Sequence, residues 1–152
     1  RSVQYTQIIE LTGFTHMNQN TGPVDPEDSP KPVGALALQV VALPGDTNAD
    51  GDIYGGWVVK QMDLAGSLTS QRIAKGRVAT VAMDAMVFLR PVLVGSTVSC
   101  YCRVVTIGRS SIAVLVEVWA CHPAEGEQKK ITEAQFTFVA IDANRRTRVV
   151  VR

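Results

Sequence analysis

Histidine is scarce, with only His16 and His122 in 152 residues, and the three cysteines make an odd count. Cys100 and Cys102 stand two apart in one expected strand, which argues for reduced thiols and against a disulfide framework or a structural zinc site. Reduced thiols fit a cytoplasmic protein best. An excess of one charge is also missing: fifteen Lys and Arg face fourteen Asp and Glu, for a net charge of +1. No global field is therefore expected to recruit nucleic acid or an anionic membrane, and any anion site must be local. The longest apolar stretch, Val33 to Leu43, falls well short of the roughly 20 residues that span a bilayer. No signal-peptide pattern opens the chain, and no internal repeat is visible. A soluble protein with neither nucleic-acid nor membrane partners is expected.

What is present is an ordinary globular composition, 46% hydrophobic and 19% charged, of a length that buries a core in one domain. Residues 1–32 are rich in proline and polar runs and are expected to form an extended leader. Ile8, Ile9, Leu11 and Phe14 leave room for a short docked segment within it. The domain proper is expected over residues 33–152.

Val33 to Leu43 is nearly continuous in apolar residues and stops at Pro44 and Gly45, as a buried strand closed by a turn would. Asp46 to Tyr54 has loop composition. Beyond Gly55 and Gly56 the period changes. Val58, Met62, Ala65, Thr69 and Ile73, joined by Leu64 and Leu68, recur at helical spacing and predict a helix ending near Lys75 and Gly76, buried on most sides. Four runs of two-residue alternation follow, at Val78 to Leu89, Thr97 to Ile107, Ser111 to Cys121 and Lys130 to Ile141. Their short connections predict a meander. The strand from Ser111 is apolar on both alternate sets apart from Glu117, so both its faces should be covered. One helix cannot cover so much strand surface unless the sheet curls around it, which predicts an α+β fold with an antiparallel sheet wrapped on one long central helix. Open edges and an uncovered face argue for self-association.

The run Asp46, Thr47, Asn48, Ala49, Asp50, Gly51, Asp52, Ile53, Tyr54, Gly55, Gly56, Trp57 carries the chemistry. Asp46, Asn48, Asp50, Gly51 and Ile53 match a calcium loop at positions 1, 3, 5, 6 and 8, but Trp57 stands where the bidentate Glu belongs, so no metal is expected. A second reading starts from the helix. Its first amides lack intrahelical acceptors and carry partial positive charge. Glycines there let a carbonyl approach closely enough for those amides to polarise it. Asp52, three residues before Gly55, is placed to activate water or attack an acyl carbon. The alternative is that Asp52 or Asp50 merely caps the helix, and spacing alone favours that role.

Asn48 to Trp57, then Met62, Asp63, resemble the opening motif of the hot-dog acyl-CoA thioesterases, and among them the bacterial YciA type. Gly76, Arg77, Val78; Thr80 to Asp84; Phe88, Leu89, Arg90, Pro91; and Gly108, Arg109, Ser110, Ser111 extend the similarity in order, over about Leu36 to Ile141. The leader matches nothing familiar. The resemblance implies a hot-dog fold, hydrolysis of acyl-CoA thioesters, Asp52 as catalytic carboxylate, and a polarising amide at Gly55 or Gly56. It places coenzyme A across subunits, with its phosphates near Arg77 and the Gly108 to Ser111 turn, where guanidinium, hydroxyl and amide donors suit phosphate.

Asn48, Thr80 and Arg90 are further substrate-contact candidates on the same ground. For Arg109 a solvated turn cation is the alternative, and for Arg90 that alternative is as good as a phosphate contact. The resemblance implies no cofactor beyond coenzyme A, as part of substrate and product. It also implies a homo-oligomer, at least a dimer and commonly a hexamer built as a trimer of dimers. His16 and His122 stand far from these motifs, which argues against the hot-dog dehydratases that rely on histidine. Two other functions stay open: a thioesterase acting on acyl carrier protein, which needs a basic docking patch, and a silent acyl-CoA-binding domain.

Overall fold

The computed structural model describes residues 30–150. The leader expected over residues 1–32 lies, up to residue 29, outside the described residues. Five strands, β1 (Ala35–Val41), β2 (Val78–Met83), β3 (Thr97–Ile107), β4 (Ser111–Cys121) and β5 (Lys129–Ala140), form one antiparallel sheet in the order β1-β3-β4-β5-β2. One helix, α1 (Gly55–Ala74), packs on one face of it. This is the hot-dog architecture that the alternation of one long apolar helix with four strands predicted. No helix among the described residues is long and apolar enough to cross a membrane.

The core lies where α1 meets the inner face. Ile112, Val114, Val116 and Val118 of β4 pair with Phe138, Phe136, Ala134 and Thr132 of β5, and all eight are buried. The Phe136 and Phe138 rings stack at 6.3 Å between centroids. From the helix, Trp57, Val58, Met62, Ala65, Gly66 and Ala74 are buried against this surface. Gly66 sets how close the helix comes: a Cβ there would lie 2.8 Å from the Phe138 ring. The two inner-face thiols belong to this core. Burial pushes the Cys100 thiol up to about 12, with Cys102 adding to the rise. Burial also raises Cys102, against a hydrogen bond with Thr69 that lowers it. Neither thiol is fitted to serve as a nucleophile near neutral pH.

Strand β4 is covered on both faces, as its composition required. Its outer face buries one charge, Glu117, which is 4% exposed. The carboxylate accepts hydrogen bonds from Lys130 Nζ at 3.1 Å and from the Val33 amide at 2.6 Å. Lys130 also reaches Glu133 at 3.1 Å. Burial alone would lower the Lys130 pKa, but its bonds to Glu117 and Glu133 outweigh that and raise it above 10.5.

Four expectations need correction. The first strand is not buried: β1 is an edge strand on which Leu36 and Val41 are exposed. The second run of alternation is a strand only to Met83, whereas residues 84–89 form a crossing segment. The Leu89 amide donates to the Ile131 carbonyl, and the Val87 carbonyl accepts from the Thr132 hydroxyl. Met86 and Phe88 are turned to the core, so their alternation serves packing and not a ladder. In consequence β2 and β3 are not neighbours, since the crossing carries the chain from one edge of the sheet to the other side. The meander is limited to β3, β4 and β5. Nor is α1 buried on most sides: Leu64 and Leu68 are 44% and 42% exposed. They lie on the side of α1 away from the sheet. Val81 and Met83 of edge strand β2 are also exposed, which is the uncovered apolar surface expected of a self-associating chain.

Gly66→Val should lower stability by about 2–3 kcal/mol in urea unfolding, because its side chain overpacks the Phe138 contact. Lys130→Met should cost on the order of 3 kcal/mol at neutral pH by leaving Glu117 buried without its cation. Since Lys130 titrates higher folded than unfolded, its stabilisation is complete below pH 10.5 and lost as pH rises through the folded value. The unfolding curves of Lys130→Met and the intact protein should therefore converge at strongly alkaline pH.

Candidate functional site

Asp52 lies on a loop that closes on itself before the helix. Thr47 and Ile53 form an antiparallel bridge, the Asn48 amide donates to the Asp52 carbonyl at 2.8 Å, and the Gly51 amide donates to the Asn48 carbonyl at 3.0 Å. The Asn48 side-chain oxygen accepts from the amides of Asp50 and Asp52 at 3.0 and 3.1 Å. Gly51, at φ +81, takes the left-handed position the turn needs. Asn48, expected as a substrate contact, is thus occupied in fixing the backbone of Asp52. The carboxylates of Asp50 and Asp52 have neither a hydrogen-bond nor an ion-pair partner among the described residues.

The capping alternative fails on geometry. The N-cap of α1 is Tyr54, in extended conformation, and no side chain caps the helix. The Trp57 amide bonds the Tyr54 carbonyl at 3.0 Å, while Gly55 and Gly56 head the helix, where intrahelical bonding offers their amides no acceptor. Neither glycine has a positive φ. A Cβ on Gly55 would sit 3.5 Å from the Phe88 ring, and one on Gly56 3.4 Å from the Tyr54 ring, both ordinary contacts. The chain's own conformation therefore does not require glycine at either position. The calcium-loop reading also loses its donors, since Asp46 Oδ2 accepts from the Leu43 amide, the Asn48 oxygen serves two amides, and Trp57 is buried in the core.

The remaining candidates divide. Thr80 on β2 donates to Asp63 Oδ1 on α1 at 2.6 Å, tying the edge strand to the middle of the helix. Arg90 lies on the same side as the helix N-terminus, beyond Phe88, in a cleft of about 390 Å³ with Ser96, Ala120, His122 and Lys129. Arg77 is at the other end. Its carbonyl accepts from the Ile141 amide, and its Nη1 lies 3.4 Å from the Ala143 carbonyl. The Gly108 to Ser111 turn is there too: the Ser110 and Arg109 carbonyls accept from the amides of Ala140 and Val150. A Cβ on Gly108 would meet Ser111 Oγ at 2.5 Å, so a side chain there would have to turn that hydroxyl aside. Twenty residues of helix, about 30 Å, separate Gly55 from this group. One chain thus brings Asp52, Gly55 and Gly56 together and does not bring Arg77 or Arg109 to them.

Sequence reasoning missed two features of the site. The contact of Phe88 with Gly55 had no local signal, because the segment read as strand. The basic hairpin at Asp142 to Arg148 was signalled only by the turn composition Asp142, Ala143, Asn144.

A family model described as the thioesterase superfamily matches residues 50–127. The chain is 48% identical over 122 residues to an uncharacterised acyl-CoA thioester hydrolase of Haemophilus influenzae, over 78% of this chain and 79% of that protein. It is 48% identical over 120 residues to the acyl-CoA thioester hydrolase YciA of Salmonella typhimurium, over 77% of this chain and 90% of that protein. Among solved structures, a hexameric broad specificity acyl-coenzyme A thioesterase aligns with a TM-score of 0.79 at 45% identity, covering 83% of this chain and 87% of the other. A hexameric thioesterase of Yersinia pestis aligns at 0.76 and 46% identity, covering 80% and 99%.

Replacing Asn48 with Ala should leave the unfolding midpoint nearly unchanged, because the loop is exposed. Amide exchange at Asp50 and Asp52 should quicken, as both lose their side-chain acceptor. Unchanged protection at both amides would show that Asn48 does not hold this loop.

Proposed function

The chain belongs to the thioesterase superfamily, and from that membership we propose that it hydrolyses acyl-CoA thioesters at a site formed by Asp52 and the first amides of α1. The observation that carries this reading is the glycine pair. Gly55 and Gly56 answer no demand of the chain's own backbone, so the space they leave is available to a substrate carbonyl. Amides without internal acceptors, reinforced by the helix dipole, would bond the oxygen of that carbonyl and the oxyanion formed on attack.

Asp52 is the carboxylate beside those amides. As general base it takes a proton from water, whose oxygen bonds the acyl carbon. The carbon–sulfur bond then breaks, and the coenzyme A thiolate leaves and is protonated. As nucleophile, its own oxygen attacks first, and water resolves the resulting anhydride. Both routes give a free acid and coenzyme A, and coenzyme A enters only as part of the substrate.

The two solved thioesterases compared above are hexameric, and a hexamer is proposed here, built as the trimer of dimers that the family resemblance implies. The exposed Leu64, Leu68, Val81 and Met83 supply apolar surface for it. The length of α1 adds a second support. Because Arg77 and the Gly108 to Ser111 turn lie a helix length from their own Asp52, a coenzyme A that touches both sets draws them from two copies.

Asp52→Asn should reduce thiol release from acyl-CoA by roughly 10²–10⁴-fold while coenzyme A binding and the unfolding midpoint stay unchanged. A variant that retains full turnover would remove Asp52 from the reaction. An intact protein that binds acyl-CoAs of every chain length but releases no thiol would replace hydrolysis with a binding role. In single-turnover hydrolysis in oxygen-18 water, label recovered in the Asp52 carboxylate would identify the anhydride route.

A further inference from the structure

The near-neutral total charge conceals a strongly basic end. Six exposed cations, Arg72, Lys75, Arg77, Arg109, Arg145 and Arg146, come from three segments that meet where α1 ends. None of the six forms an ion pair among the described residues. The single acid in those segments is Asp142, and its Oδ1 accepts from the amides of Asn144 and Arg146, not from a guanidinium.

The hairpin that bears Arg145 and Arg146 is firmly built. The Asp142 amide donates to the Arg146 carbonyl and the Arg145 amide to the Asp142 carbonyl. Ile141 and Thr147 bridge below the turn. Arg148 fastens it to the helix by donating from Nη2 to the Ala74 carbonyl at 2.7 Å and from Nε to the Ile141 carbonyl at 3.2 Å. Arg145 has φ +63, the left-handed position that glycine or asparagine usually fills in such turns. Beside the hairpin, Leu68, Gln71, Arg72, Gly76 and Arg77 line an open cleft of about 510 Å³. A half-exposed apolar side chain flanked by guanidiniums suits a planar base that carries phosphates.

We infer that Arg145 and Arg146 are phosphate-recognising residues that extend this basic end into a site for the nucleotide phosphates of coenzyme A. The inference takes its ligand from the acyl-CoA reading above. A fixed turn presents the two guanidiniums without a competing carboxylate, so their attraction is spent on the ligand. Pantetheine, which lacks the nucleotide, makes no use of them.

The test is calorimetric binding of coenzyme A and of pantetheine to the intact oligomer and to the double variant Arg145→Gly, Arg146→Gln. Glycine suits φ +63, so the variant should unfold no earlier than the intact protein. The Kd for coenzyme A should rise about tenfold and become less sensitive to salt, with the Kd for pantetheine unchanged. An unchanged Kd for coenzyme A, or equal weakening for both ligands, overturns the inference. Coenzyme A binding that depends on these arginines, in a protein that hydrolyses no acyl-CoA, sustains the inference and removes the thioesterase reading instead.

Discussion

Everything in this molecule follows from seating one helix on one sheet. Helix α1 is the only long helix among the described residues, and it supplies the main cover for the inner faces of β4 and β5, with Met86 and Phe88 of the crossing segment packed beside it. Gly66 over Phe138 draws helix and sheet into direct contact. A side chain at that position would lift the helix, and the apolar contacts of Val58, Met62 and Ala65 would open with it. Burial of this interface is the dominant favourable term in folding such a domain. The chemistry is arranged along the same helix, with the amides at its head and the basic segments at its tail.

That arrangement explains why candidate residues that look consecutive in sequence do not converge in space. The loop at Asp52 is held by Asn48 at the positive end of the helix dipole. Arg77, only a few residues beyond Ala74, is a full helix length away. A functional site needing both has to span that length or draw on a second copy, and the chain leaves apolar surface exposed on the open side of α1 and along β2. The buried Glu117 and its half-buried partner Lys130 on the opposite face serve stability, because a carboxylate that is 4% exposed is tolerable only with its cation in place.

Much of the fold was legible from period alone. Helix α1 and strands β3, β4 and β5 declared themselves because their apolar residues follow 3.6 or 2.0 spacing over many residues, and β1 because an almost unbroken apolar run stops at Pro44 and Gly45. The misreading at residues 84–89 has a physical origin. Met86 and Phe88 pack against the core while Val87 between them does not, so an apolar period of two appears without a ladder. The edge placement of β2 was likewise hidden, since strand order depends on which surfaces the crossing covers. The burial expected on most sides of the helix is not met, because Leu64 and Leu68 are apolar for a surface that a single chain does not bury.

The sequence by itself determined the local chemistry: a carboxylate and a pair of glycines at the head of an apolar helix, in an order that resembles one enzyme family. Those features are encoded within a dozen residues and need only backbone propensity and charge to be read. Tertiary structure alone decided that Tyr54 and not an aspartate caps the helix, that Asn48 is occupied by the loop, and that Arg72, Arg109, Arg145 and Arg146 share one end. Such facts depend on contacts between segments far apart in the chain, and a balanced total charge carries no trace of where in space the charges gather.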